Sequence, residues 1–208
     1  MIDPGTLFMF FTTSVLLALS PGPDNLFVLA QAAQRGRTAG LLVTLGLCTG
    51  LLFHTSAVTF GLAALFKASA AAFTLLKFTG AGYLLYLAWL SLRAGAVTGP
   101  AAEADSLTPA ALFRRGIIMN ITNPKVSIFF LAFLPQFADP ATGPLSLQFL
   151  QLGAVFIIAT IIVFGAISIL AGFFGEHFRK SAYAQKLLNR AAAAIFAGLA
   201  LKLALAQR

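Results

Sequence analysis

Two charged residues in this chain stand directly behind prolines in the middle of apolar runs. Asp24 follows Ser20-Pro21-Gly22-Pro23 and precedes Asn25. Lys125 follows Asn123-Pro124. Pro23 and Pro124 lie 101 positions apart, so Asp24 and Lys125 hold equivalent places in the two motifs. A carboxylate takes up a proton or holds an ammonium group, and an ammonium holds a carboxylate; asparagines such as Asn25 and Asn123 both donate and accept. This is the chemistry of binding and proton exchange. No nucleophile–base set stands out, although Ser20 and Asp24 share one short stretch, so no catalytic residue is assigned. Cys48 is the only cysteine, which excludes an internal disulfide and a CxxC pair. His54 and His177 are far apart, and no Cys/His cluster has metal-ligand spacing, so neither a metal nor a cofactor is expected.

The elements that must position these residues are membrane helices. The hydrophobic fraction is 59% and the charged fraction 10%, where a soluble domain carries about 25% charged residues. Six runs are long enough to span a bilayer, about 6–33, 40–66, 74–92, 112–136, 146–174 and 185–206. The expectation is an all-α integral membrane protein, one domain over 1–208. It comprises a three-helix repeat at about 6–92, a polar linker at about 93–111 and a second repeat at about 112–206. An odd number of spans per repeat makes the two repeats run through the membrane in opposite directions. The first and fourth helices are broken, because Pro21, Gly22 and Pro23, and again Pro124, cannot sustain the helical hydrogen-bond ladder.

Orientation follows from the basic residues. Arg35, Arg37, Arg93, Arg114, Arg115, Arg179, Lys180, Lys186 and Arg190 fall in one set of loops, and only Lys67, Lys77, Lys202 and Arg208 in the other. The first set is expected to be cytoplasmic and both termini periplasmic. The net charge of +8 thus speaks for membrane topology and not for nucleic acid. No Lys or Arg precedes Arg35, so the first apolar run is expected to stay as a helix and not to be cleaved as a signal peptide.

An unwound backbone and a charge at membrane depth are tolerated only against protein or water. Broken helices at matching positions of two halves point to a transporter's central site. We therefore expect Asp24 and Lys125 to face one polar site, with a zwitterion's ammonium at Asp24 and its carboxylate at Lys125. The alternatives are that Asp24 caps a half-helix near a membrane end and that Lys125 snorkels to the interface.

Other residues have plainer readings. Gly46 and Gly50 make a small-residue face for packing inside the bundle, or else a dimer contact or sliding surface. His54 either relays protons or, the favoured reading, hydrogen-bonds a neighbouring helix. Trp89 suits an interfacial belt, Tyr83 and Tyr86 are candidates to line the site, and Glu176 to Lys180 reads as a cytoplasmic loop.

Ser20-Pro21-Gly22-Pro23-Asp24-Asn25 with Gly36 resembles the N-terminal signature of the LysE/RhtB amino-acid exporters. Asn123-Pro124-Lys125 with Phe133-Leu134-Pro135-Gln136-Phe137 is similar to that family's second signature. Gly80-Ala81-Gly82-Tyr83-Leu84-Leu85-Tyr86-Leu87 is similar to its third-helix pattern. The resemblance implies a bacterial inner-membrane exporter of amino acids or close derivatives, driven by protons. It carries over Pro21, Gly22, Pro23, Asp24, Asn25, Asn123, Pro124 and Lys125. The implied partners are a small zwitterionic substrate, protons and the lipid bilayer; a homodimer is compatible with it. The rivals are an exporter of another solute or of a metal ion, and a membrane thiol-redox carrier. The metal exporter lacks clustered carboxylates, and the thiol carrier lacks a second cysteine.

Overall fold

A computed structural model describes residues 2–62, 70–94, 107–180 and 182–205, with only the backbone at 62, 70–73, 172–180, 182, 184, 185 and 188. The described residues form eight α-helices and no strand. They are α1 (Pro4–Leu19), α2 (Pro23–Arg35), α3 (Arg37–Ala57), α4 (Ala70–Arg93), α5 (Pro109–Ile121), α6 (Pro124–Ile128), α7 (Leu145–Lys180) and α8 (Ala182–Leu205). By length and composition, three of them can cross a membrane, and five spans are reached if each bent pair counts as one.

The bent pairs are where proline interrupts an apolar run. α1 and α2 meet at 64°, and α5 and the segment Pro124–Phe137 at 48°. Each half-helix starts with proline at its first positions, where the missing N–H costs no helical bond. Asp3 caps α1 by accepting from the Thr6 N–H at 3.0 Å, and those bonds hold its carboxyl below the ordinary value. α2 turns into α3 at Gly36, whose φ of 84° is one that a side chain disfavours. Two π turns follow α-helical stretches, at Val58–Leu62 and at Phe129–Phe133. Pro135, without an N–H, then closes the second of these as a 3₁₀ turn, Leu134–Phe137. Gln148 pins the next turn, donating to the carbonyls of Asp139 at 2.8 Å and Gly143 at 3.1 Å.

The fifth helix departs from expectation. It runs on from 174 to Lys180, so Glu176 to Lys180 is helical and not a loop. No proline interrupts that stretch, and a helix leaving the bilayer keeps its own hydrogen bonds. Most of the linker and the basic residues Lys67 and Arg208 lie outside the described residues.

The helices pack in two apolar groups. The larger surrounds Phe10, Phe129, Phe130, Phe133, Phe149, Phe156 and Phe196; the smaller surrounds Val28, Val43, Leu47 and Leu112. Many of the phenylalanines are thus packing residues, with centroids 5.0 Å apart for Phe129–Phe133 and for Phe10–Phe137. Trp89 lies on an outer stripe with Tyr83 and Tyr86, and the Arg93 guanidinium sits 4.3 Å over its ring, as an interfacial residue would be placed. Tyr86 is half exposed on that stripe.

Gly46 does the work of packing inside the bundle. A Cβ there would run into the Phe113 carbonyl oxygen and lie 3.0 Å from the Gly116 Cα, so α3 and α5 cross backbone to backbone. Gly50 meets the Asn120 side chain one turn on. Gly82, by contrast, has nothing within 4 Å of an added Cβ. Gly46→Ala is therefore expected to cost about 2–3 kcal/mol as the helices are forced apart. Gly82→Ala is expected to be neutral or to stabilise by up to about 1 kcal/mol. Thermal unfolding in detergent checks the contrast, and equal shifts would remove the crossing as its cause.

Candidate functional site

The first break is built from extended backbone. Ser20 leaves α1 at φ −61° and ψ 124°, and Gly22 is extended before Pro23 opens α2. That unwinding frees the carbonyls at the end of α1 and puts Asp24 in the first turn of α2, where the helix dipole favours an anion. The second break does the same one half later. α5 ends at Ile121, and Asn123 caps α6 by accepting from the Lys125 N–H at 3.0 Å.

The structure brings the two breaks together. The Asn123 side chain donates from Nδ2 to Asp24 Oδ2 at 2.8 Å, while its Oδ1 holds the Lys125 N–H. One asparagine thus joins the acidic residue of the first break to the backbone of the basic residue at the second. The Lys125 ammonium reaches back across the bundle and donates to the carbonyls of Ser20 at 3.2 Å and Leu17 at 3.4 Å. It occupies the negative end of α1's dipole, which is a favourable place for a cation. Asn25 donates to the Ala18 carbonyl at 2.6 Å. The two charged groups therefore meet through Asn123 and through carbonyls of the first break.

Both charged residues are buried in the protein. Asp24 is 3% exposed and Lys125 7% exposed. Asp24 is not the cap of α2, since Gly22 holds that position without a side-chain bond. The Lys125 ammonium turns inward, with two of its donors on the carbonyls of Leu17 and Ser20. Gly22 leaves room for this arrangement: a Cβ there would lie 3.1 Å from Lys125 Nζ, so the ammonium would have to give by a few tenths of an ångström.

What the arrangement leaves open is a set of acceptors. Asp24 Oδ1, Asn25 Oδ1 and Ser20 Oγ are buried beside the first break without a hydrogen-bond partner. Buried polar atoms are nearly always satisfied, so such a cluster asks for donors from elsewhere. Gln31 Oε1, Asn120 Oδ1 and Gln151 Oε1 are unpartnered as well. Gln31 and Gln151 were not singled out in the sequence, and nothing in their spacing marks them. Asn120 had a legible signal. It stands four residues before Pro124, so its carbonyl lacks the helical donor. His54 Nε2 lies 3.1 Å from that carbonyl, and His54 is hydrogen-bonded to a neighbouring helix as expected. Cys48 is a buried packing residue. Among the described residues no three His, Cys, Asp or Glu side chains group as metal ligands.

The chain is similar to known proteins over most of its length. The family described as LysE type translocator matches residues 15–207. A homoserine/homoserine lactone efflux protein of Salmonella typhimurium is 34% identical, covering 91% of each chain. A leucine efflux protein of Salmonella choleraesuis is 34% identical, covering 93% of this chain and 92% of its own. An uncharacterized membrane protein of Vibrio cholerae is 33% identical, covering 95% of this chain and 96% of its own. No solved structure matches the chain significantly.

Proposed function

The chain belongs to the LysE type translocator family, and from that membership we propose that it exports amino acids or close derivatives from the cytoplasm in exchange for protons. The observation that carries the proposal is the buried Asp24 oxygen with no partner, together with the unpartnered oxygens of Asn25 and Ser20 in the same break. The free carboxylate oxygen and these two acceptors make three, as many as the N–H donors of an α-ammonium group. The ammonium and a proton compete for the same carboxylate. Binding one excludes the other, which is what antiport requires. Lys125 has two of its three donors on carbonyls, and the third is left for the substrate carboxylate. The first-turn N–H groups of α2 add to that end of the site. The relatives named for homoserine and leucine efflux support the substrate class.

The same reading makes the protein a six-span carrier of two inverted repeats, with α8 as the sixth span and the breaks at Pro21, Gly22, Pro23 and Pro124 as hinges. The packing of α3 on α7 supports it. Gly40 of α3 sits against Ser168 of α7, and Gly153 of α7 sits against Thr55 of α3. Gly40 to Gly153 and Thr55 to Ser168 are both steps of 113 positions, so one two-fold operation exchanges the two contacts. Likewise α5 packs on α3 as α1 packs on α7, and α4 packs on α8. At one end of the bundle Arg35 donates to the Leu107 carbonyl and Asn189 to the Ala94 carbonyl. That end carries most of the basic residues and is read as cytoplasmic, in a bacterial inner membrane with both termini periplasmic. Every residue assigned to the site comes from one chain, so the reading does not require a homodimer.

Vesicles loaded with single amino acids test the proposal. With acid outside, efflux of one or a few of them is expected to run about tenfold faster than without a gradient, and a protonophore should abolish the difference. Efflux indifferent to the gradient would reject antiport. No efflux of any amino acid would reject the reading altogether.

A further inference from the structure

Each break leaves a carbonyl without its helical donor, and a side chain of the other half reaches it. A proline has no N–H, so the carbonyl four residues before it loses its helical donor. For Pro21 that carbonyl belongs to Leu17, and Lys125 of the second half supplies the donor at 3.4 Å. For Pro124 it belongs to Asn120. The Asn123 N–H takes one side of this oxygen at 3.1 Å. The other side faces His54 Nε2, also at 3.1 Å, from α3 of the first half. A carbonyl only accepts, so this ring nitrogen must carry the hydrogen. His54 is 6% exposed, and the rings packed on it are apolar: Phe53 of its own helix at 5.9 Å and Phe130 at 5.6 Å.

We propose that His54 is a positioning residue of the second break. Its Nε2–H stands in for the N–H that Pro124 lacks. The bond holds the Asn120 carbonyl, that carbonyl holds the Asn123 N–H, and the Asn123 side chain holds Asp24 and the Lys125 N–H. Each half thus lends one cationic or neutral donor to the break of the other: Lys125 to the first, His54 to the second. In this role His54 acts as a hydrogen-bond donor, and the bond is kept whether or not Nδ1 takes a proton, since both forms of the ring carry the Nε2–H.

Two substitutions separate the donor from the ring. His54→Gln keeps an N–H at similar reach and loses the ring; His54→Phe keeps the ring and loses the donor. Two measurements read them. One is amide hydrogen exchange over residues 120–127, which does not depend on transport. The other rests on the exporter reading: the half-saturating amino-acid concentration and the pH profile of efflux from vesicles. His54→Phe is expected to raise exchange and half-saturation by about tenfold, the size of one lost neutral hydrogen bond. His54→Gln is expected to stay within about threefold of the parent in both, with the pH profile unchanged. The reverse order, with Phe tolerated and Gln not, would overturn the proposal in favour of ring packing. A flattened pH profile in His54→Gln would overturn it in favour of proton carriage. If the parent moves no amino acid, the exporter reading fails and the exchange measurement alone decides. If His54→Phe does not fold, His54→Gln decides: parental behaviour supports the donor role and its loss overturns it.

Discussion

Asp24→Asn is expected to lower efflux by about a hundredfold, the effect of losing a charge-assisted contact worth roughly 3 kcal/mol, while the protein remains folded. The amide has the shape of the carboxylate. Its oxygen can still accept from Asn123 Nδ2, so the contact between the two breaks survives. Its nitrogen then turns to the open side, where Asp24 Oδ1 now stands without a partner. A donor replaces an acceptor at the point where the ammonium is read, and the group can no longer take a proton. Both halves of the antiport cycle fail for one reason. Net efflux under a pH gradient and exchange of labelled for unlabelled amino acid should fall together in the vesicle assay. Size-exclusion and thermal unfolding should change little. If exchange persists while net efflux is lost, Asp24 serves the proton alone and the ammonium binds elsewhere. Activity within about threefold of the parent would remove Asp24 from the mechanism.

The pattern of the two sites was legible because proline acts locally. Pro21, Gly22, Pro23 and Pro124 break the helical ladder whatever surrounds them, and the bends are found there. The close packing of Gly46 was legible for a similar reason, since a small face on a membrane helix has little use except close approach. The partners were not legible. Proline tells which carbonyl is left bare, but not what will cover it. That Lys125 covers Leu17 and His54 covers Asn120 depends on how α1, α3, α5 and α6 are arranged in space. Spacing of 101 residues put Asp24 and Lys125 at equivalent places but left open how they meet: Asn123 bonds the Asp24 carboxylate and the Lys125 backbone N–H. A short polar side chain that donates on one face and accepts on the other looks, in sequence, like an ordinary helix cap. The end of α7 was missed because a basic stretch reads the same whether it is loop or helix outside the membrane.

Removing the Lys125 ammonium should be the more damaging of the two charge changes to the fold itself. Its donors serve the Leu17 and Ser20 carbonyls, which no helical N–H reaches. In Lys125→Met the stem volume is nearly kept, so lost packing is not the cause of any loss. What is lost is the cation at the end of α1, while Asp24 stays buried. Breaking a buried charge arrangement from one side costs about 3–5 kcal/mol. Thermal unfolding should drop accordingly, and efflux should fall at least as far as in Asp24→Asn. Lys77 offers the control: its ammonium lies 4.8 Å over the Phe78 ring, and Lys77→Ala should cost under about 1 kcal/mol. The decisive measurement is the double variant. If the charges are coupled through Asn123, Asp24→Asn in the Lys125→Met background should restore part of the lost stability, because the uncompensated carboxylate is gone. It should restore none of the efflux. Additive losses would mean that Lys125 only caps α1, and that the acidic and basic motifs meet in space without acting on one another.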